Sequence, residues 1–254
     1  MRIVIKIGTS TLAHPTGHLN IRLVEQLCKV VSDIKNAGHE VILVSSGAIG
    51  MGVGKLGLRL RPSDIPTKQA AAAVGQCELM YTYDKLFSEY NHTVAQLLIT
   101  GADVAHEIRH TNFRNTLNRL LELEAIPIIN ENATVATDEI VIGDNDTLAA
   151  IVAKSVGADK LILLSDIDGL YTADPHKDPS AQLLSFVTGI TEEIRALGGG
   201  SAGNQGTGGM ATKLHAAEIC LDAGCDMIIT NGKRPDDLYA ILEGKAVGTT
   251  FSRR

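Results

Sequence analysis

Two lysines stand where fixed positive charge would meet an anion. Lys6 lies one residue before the end of the apolar run "RIVIKI", and Lys213 closes "GSAGNQGTGGMATK", in which five of fourteen residues are glycine. Backbone N–H groups approached through glycine, followed by a helix N-terminus, make an anion site suited to phosphate. The stretch is not a P-loop. Gly203 and Gly208 have the required spacing, but Gly209 and Met210 follow where lysine and Ser/Thr would stand. Taken alone it is either a phosphate loop of another design or an ordinary surface loop, and the elements around it must decide.

Those elements alternate. Strand-like runs at 2–7, 40–45, 93–99, 126–130, 159–165 and 226–230 are separated by helical spacing at about 20–37, 67–90, 114–123, 148–156 and 209–223. Asn112 is a candidate cap for the third helix, Gly38 stops the first, and a short helix and "VGTTF" close the chain. Continuous Val/Ile/Leu runs between helices predict an α/β fold: an open, mainly parallel sheet with helices on both faces, in one domain over 1–254. A (β/α)8 barrel fits less well, because 133–142 reads as a hairpin and not as a βα unit. Ligands of such open sheets bind beyond the carboxyl ends of the strands. There the chain is polar and glycine-rich: "KIGTS", "SSGAIG", "NENATV", "GDND" and "SDIDGLYTADP" follow the strands. Turn chemistry explains the Gly, Asn and Asp, but not a lysine at a strand end.

The 254 residues, 44% hydrophobic and 20% charged, are enough to bury a sizeable core. A net charge of −6 offers no attraction to nucleic acid or to an anionic membrane surface, so neither is expected as a partner. No stretch approaches the ~18 apolar residues of a membrane span. "MRIVIKIGTS" reads as a first strand and not a signal peptide, because Lys6 interrupts it and no cleavage pattern follows. Cys28, Cys77, Cys220 and Cys225 include no C-x-x-C pair, so reduced, buried thiols in a cytoplasmic protein are expected.

"KIGTS", "SSGAI", "NEN", "GDND", "SDIDGLYTADP" and "GTGGMATK" occur in that order. Together they resemble the amino-acid kinase family, and within it the glutamate 5-kinases, over essentially the whole chain. The resemblance implies a phosphorylation of the glutamate γ-carboxylate by ATP, the first step of proline biosynthesis. It implies Lys6 and Lys213 as the catalytic pair, Asp146 as the aspartate holding them, and Gly8 and Gly47 as glycines bringing N–H groups to the phosphoryl oxygens. Ser46, Asn130, Glu131, Asn145 and the position of Ala133 match the acceptor-binding residues. ATP would be met by Lys6, Ser165, Asp166, Thr207, Gly208, Gly209, Met210, Ala211, Thr212 and Lys213, with "GLYTADP" lining the adenine pocket. Magnesium would be held mainly by ATP oxygens and water, with no protein metal site. The resemblance further implies an acceptor part over roughly 1–155 and a nucleotide part over 156–254. It implies a homo-oligomer (dimer or tetramer), proline as feedback inhibitor, and the next enzyme of the pathway as a partner. Many relatives carry a further C-terminal PUA-type module resembling RNA-modification domains, and a chain stopping at Arg254 reads as the short form without it. The physics agrees: moving a phosphoryl group onto a carboxylate needs positioning and fixed positive charge. It needs no general base, since a γ-carboxylate is already ionised at neutral pH.

Plainer readings exist residue by residue. Lys6 could reach solvent, Asp146 could cap the following helix, and Asn130, Glu131 and Asn132 could simply turn the chain. Asp166 and Asp168 could form turns around Gly169, and Asp168 is read as structural. A non-catalytic amino-acid or nucleotide sensor on the same fold would need no phosphoryl clamp, so the Lys6, Asp146 and Lys213 set favours the enzyme. "HEIRH" (His106 to His110) matches the zinc pattern H-E-x-x-H but has no evident third ligand. "GVGKLG" (Gly52 to Gly57) matches G-x-G-x-x-G but does not directly follow a strand. Ala133 departs from the family, whose aspartate at that position binds the α-amino group. Three explanations stand: a natural or engineered low-affinity variant, a substitute charge such as Glu131, or an acceptor acid without a free amine.

Overall fold

The computed structural model describes residues 1–14, 16–60, 62–136, 144–199 and 209–253. Along the chain run β1 (Arg2–Ile7), α1 (Thr9–Leu12), α2 (Ile21–Asn36), β2 (Glu40–Ser45), α3 (Ala48–Lys55), α4 (Ile65–Ser88) and β3 (Val94–Ile99). Then come α5 (Gly101–Ala105), α6 (Glu107–Glu122), β4 (Ile126–Glu131), α7 (Asn145–Val156) and β5 (Lys160–Ser165). The last part holds β6 (Phe186–Val187), α8 (Glu192–Leu197), α9 (Met210–Ala223), β7 (Asp226–Asn231), α10 (Asp237–Leu242) and β8 (Thr249–Phe251).

The strands form one sheet in the order β3-β4-β2-β1-β5-β7-β8-β6. Neighbours from β3 to β7 are parallel, and β8 returns antiparallel to β7. This is the open, mainly parallel sheet expected from the alternation. The order reverses at β1, which lies between β2 and β5. Ile7 pairs with Ser45 on one side and Leu164 on the other, so three carboxyl ends finish level. A topological switch of this kind opens a crevice at that edge.

β1 is buried on both faces, and its side chains divide by the two-residue period. Ile3, Ile5 and Ile7 join the core under α1, α2, α3, α4 and α10. Val4 joins the opposite core, with α6, α7 and α9. Lys6 shares the Val4 face and so emerges under α7 and α9.

α7 starts where it does because Asp144 caps it, its side chain accepting from the Asp146 and Thr147 N–H groups. The first turn of α7 therefore presents Asn145 and Asp146 to the sheet edge. Asp144, and not Asp146, is the cap. α4 is capped by Asp64 and has Pro66 in its first turn. It packs against α3 with almost no space between the backbones. A Cβ on Gly52 would lie 1.8 Å from the Ala71 carbonyl oxygen, and one on Gly75 would lie 1.7 Å from that of Ala48.

Several sequence expectations are corrected. α3 occupies the "GVGKLG" region, and its Gly52 is a packing residue. α6 begins at Glu107 with His106 as N-cap, so Asn112 lies inside the helix. α5, α8 and β6 were not anticipated. Cys28, Cys220 and Cys225 are buried and unbridged as expected, but Cys77 is exposed on α4. Of the expected hairpin, 133–135 is a turn, and 137–142 lies outside the described residues. No helix among the described residues is long and apolar enough to cross a membrane.

Candidate active site

Asp146 is 1% exposed and stands between two ammonium groups. Lys6 Nζ is 2.8 Å from its Oδ1, and Lys213 Nζ is 3.0 Å from its Oδ2. Oδ1 is buried and faces the Lys6 ammonium as its charge partner. Thr212 Oγ1 lies 3.1 Å from Oδ2 and 2.7 Å from the Gly209 carbonyl oxygen, two acceptors for its one proton. Burial pushes the Asp146 carboxyl up, but the Lys6 and Lys213 charges outweigh it and hold the group below the usual carboxylate range. The Asp146 carboxyl is therefore ionised at neutral pH. Buried ion clusters are weak sources of stability, because desolvation offsets their attraction. Their usual worth is at a functional site.

α9 adds to the positive field. Gly209 caps it without a side-chain hydrogen bond, so the first N–H groups of α9 have no side-chain acceptor at their N-cap. Gly8 follows β1 directly, beside Lys6. Its N–H donates to the Leu164 carbonyl oxygen at 3.3 Å. A Cβ at Gly8 would lie 3.2 Å from that oxygen and 3.8 Å from Lys6 Nζ, so a side chain there would crowd the ammonium. Gly47 sits at φ +96°, a conformation that favours glycine, and opens α3 directly after Ser46.

Across the crevice Ser46, Asn130 and Asn145 are uncharged, and Glu131 ends β4 beside them. Asn145 Nδ2 donates to Ser46 Oγ at 2.7 Å and lies 3.3 Å from Asn130 Oδ1. Asn130 Oδ1 also accepts the Glu131 N–H at 2.9 Å, and Asn130 Nδ2 donates to Gln76 Oε1 at 2.9 Å. Ala133 is half-buried in the turn that leaves β4, its N–H donating to the Glu131 carbonyl oxygen at 2.9 Å. The sequence reading missed Gln76. Its signal was a glutamine among alanines, Gly75 and Leu79 on the buried side of α4.

Ser165 is buried at the end of β5, and its Oγ donates to Asp166 Oδ1 at 3.1 Å, while Asp166 is exposed. Asp168 accepts from Asn231 Nδ2 at 2.9 Å and Arg234 at 3.0 Å. The Asn231 hydrogen bond, with Arg234 beside it, holds its carboxyl below the usual range, which fits the structural reading. Met210, Ala211 and Thr212 form the first turn of α9 with Lys213, while Thr207 and Gly208 lie outside the described residues. His106 and His110 do not converge. His106 is the α6 N-cap and His110 Nε2 meets Ser155 Oγ at 2.7 Å. Among the described residues no three His, Cys, Asp or Glu side chains cluster to hold a metal ion.

Residues 1–231 match the model of the amino acid kinase family. The chain is 53% identical over 250 residues to a glutamate 5-kinase of Clostridium tetani, covering 98% of this chain and 94% of that one. It is 52% identical over 257 residues to a glutamate 5-kinase of Listeria innocua, covering 100% and 93%. Among solved structures, carbamate kinase from Giardia lamblia bound to AMP-PNP superposes with a TM-score of 0.69 at 21% identity, covering 100% of this chain and 98% of that one. The isopentenyl phosphate kinase of T. acidophilum superposes with a TM-score of 0.67 at 18% identity, covering 99% and 100%. The structural matches share the fold, and the sequence matches extend along nearly the full length. The chain belongs to the amino acid kinase family.

Proposed function

We propose that the chain transfers the γ-phosphoryl group of ATP to the γ-carboxylate of L-glutamate, giving L-glutamyl 5-phosphate and ADP, the first step of proline biosynthesis. A carboxylate oxygen attacks the γ-phosphorus, a C–O–P bond forms, and the bond to the β,γ-bridging oxygen breaks with its electron pair leaving on ADP. Lys6 and Lys213 neutralise charge on the transferring group, and Asp146 fixes both ammonium groups so that little reorganisation is needed as charge shifts. The N-terminal N–H groups of α9 face the nucleotide phosphates. Ser165 and Asp166 border the nucleotide at the end of β5. Magnesium would be held mainly by the phosphates and water, in keeping with its preference for keeping several waters. Ser46 Oγ accepts from Asn145, so its own proton is available to the acceptor carboxylate.

The observation that carries this reading is the buried Asp146 held between Lys6 and Lys213. A sensor that only bound its ligand would have no use for two cations focused on one point. The names of the relatives supply the acceptor. Ala133 favours one second reading, an acid without a free amine as acceptor. Incubation with ATP, magnesium, hydroxylamine and either glutamate or glutarate separates the two. A glutamate hydroxamate supports the proposal, hydroxamate from glutarate alone moves the substrate class, and none from either acid refutes both acceptor assignments.

The same reading makes the protein a cytoplasmic homo-oligomer, in keeping with its four unbridged cysteines. Light scattering checks the assembly. Its acyl-phosphate product is prone to hydrolysis, which favours hand-over to the enzyme that reduces it.

A further inference from the structure

Among the buried side chains of α4 that carry polar atoms, Gln76 (8% exposed) and Tyr83 (0% exposed) lie seven residues apart. Both reach the crevice edge from behind. Tyr83 OH lies 3.0 Å from Ser45 Oγ, while Gln76 links Asn130 to Gln96, whose Oε1 accepts from Gln76 Nε2 at 3.3 Å. The direction of this amide chain is fixed by groups that have only one role. The Glu131 N–H can only donate, so the Asn130 atom facing it is Oδ1. Asn130 Nδ2 then turns to Gln76, and the Gln76 atom it meets must be an acceptor. At the other end the Ser45 carbonyl oxygen, 3.4 Å from Asn145 Nδ2, can only accept. Asn145 thus turns its nitrogen to Ser46 and Asn130, and its Oδ1 the other way.

We propose that Gln76 is a positioning residue for the acceptor, acting through Asn130 and Asn145. It rests on the glutamate-kinase reading above. Gln76 adds a second lock to the Glu131 N–H: a flipped Asn130 amide would set N–H against N–H at the Glu131 backbone and oxygen against oxygen at Gln76. Asn145 keeps its Nδ2 on Ser46, and its Oδ1 is oriented as an acceptor for the substrate α-ammonium. That neutral acceptor matters more here because Ala133 supplies no charge. Gly75, beside Gln76, keeps α4 against α3 and holds the glutamine at this depth.

The test compares Gln76→Met, similar in size but unable to accept from Asn130, with Gln76→Glu, which keeps the acceptor at the cost of a buried carboxylate that a flipped Gln96 can meet with its N–H. One net hydrogen bond corresponds to about 3- to 10-fold in affinity. The methionine variant should raise the glutamate KM by that factor, with kcat and the ATP KM within about twofold, and the glutamate variant should restore most of the loss. Gln76→Leu repeats the test if Gln76→Met melts early. An unchanged glutamate KM, or an equal rise in both KM values for both variants, overturns the proposal. Failure of the acceptor assignment looks different: the unaltered protein gives no glutamate-dependent product. The same comparison is then made with the carboxylate it does phosphorylate, and Gln76 is rejected if that KM does not move.

Discussion

On the α7–α9 side of the crevice a buried aspartate holds two ammonium groups, while on the α3–α4 side Ser46, Asn145, Asn130 and Gln76 form a chain of uncharged donors and acceptors. Both are anchored by the same first turn of α7, whose neighbours Asn145 and Asp146 point to opposite regions. The difference follows from what each must hold. Charge that develops only in transfer calls for fixed opposite charge, desolvated and oriented beforehand. A substrate that must bind and leave calls for contacts whose direction gives selectivity without deep trapping. The first region should therefore govern turnover and the second affinity for the acceptor.

The largest expected effect comes from removing the shared anion. Asp146→Asn leaves two ammonium groups facing each other, and kcat should fall by about 10²–10³-fold. Breaking a buried ion cluster also costs about 3–5 kcal/mol, readable in urea unfolding. The pH dependence has a definite sign. Because the Asp146 carboxyl is held low, its stabilisation is full above the ordinary carboxylate pKa of about 4 and fades as pH falls through its lower native value. The asparagine variant should lack that acid limb, and an unchanged acid profile would remove Asp146 from it.

Gly75→Ala probes the second region from behind. Its Cβ would stand 1.7 Å from the Ala48 carbonyl oxygen, so α3 and α4 must part. Overpacking of this kind costs about 1–3 kcal/mol. The glutamate KM should rise while the ATP KM holds, and an equal rise in both would show that the regions are not separable.

Ala133→Asp should act in the favourable direction. A charge-assisted contact contributes about 1.5–3 kcal/mol, at most about 10- to 150-fold in affinity. The glutamate KM should drop at least several-fold with kcat nearly unchanged. If it does not move, the amine is held elsewhere or the acceptor has none. The mildest perturbation is proline, which shares an α-carboxylate and α-nitrogen with glutamate. Titrated at two glutamate levels, it should raise the apparent KM and leave kcat alone, whereas a fall in kcat would place it outside the acceptor site.

The sheet was legible because each buried strand reads as an unbroken apolar run, and β1 and β2 begin and end where those runs do. α3 was not, because "AIGMGVGK" is too glycine-rich to look helical. Its Gly52 serves contact with α4 and its Gly54 contact with Gly17, long-range facts that local propensity does not encode. Asp144 as the cap was hidden behind Asp146 two residues on, and only geometry separates them. The charged region could be assembled from motifs at strand ends. Gln76 could not, because its partners come from β3 and β4, twenty and fifty-four residues away along the chain.

The division between the two regions is tested most directly by steady-state kinetics of Lys213→Ala in the hydroxamate assay, with glutamate and ATP varied separately. A clamp acting at the transferring phosphoryl group predicts a fall in kcat of at least about a hundredfold, with the glutamate KM changed several-fold or less. An unchanged kcat, or a loss confined to the glutamate KM, would contradict it.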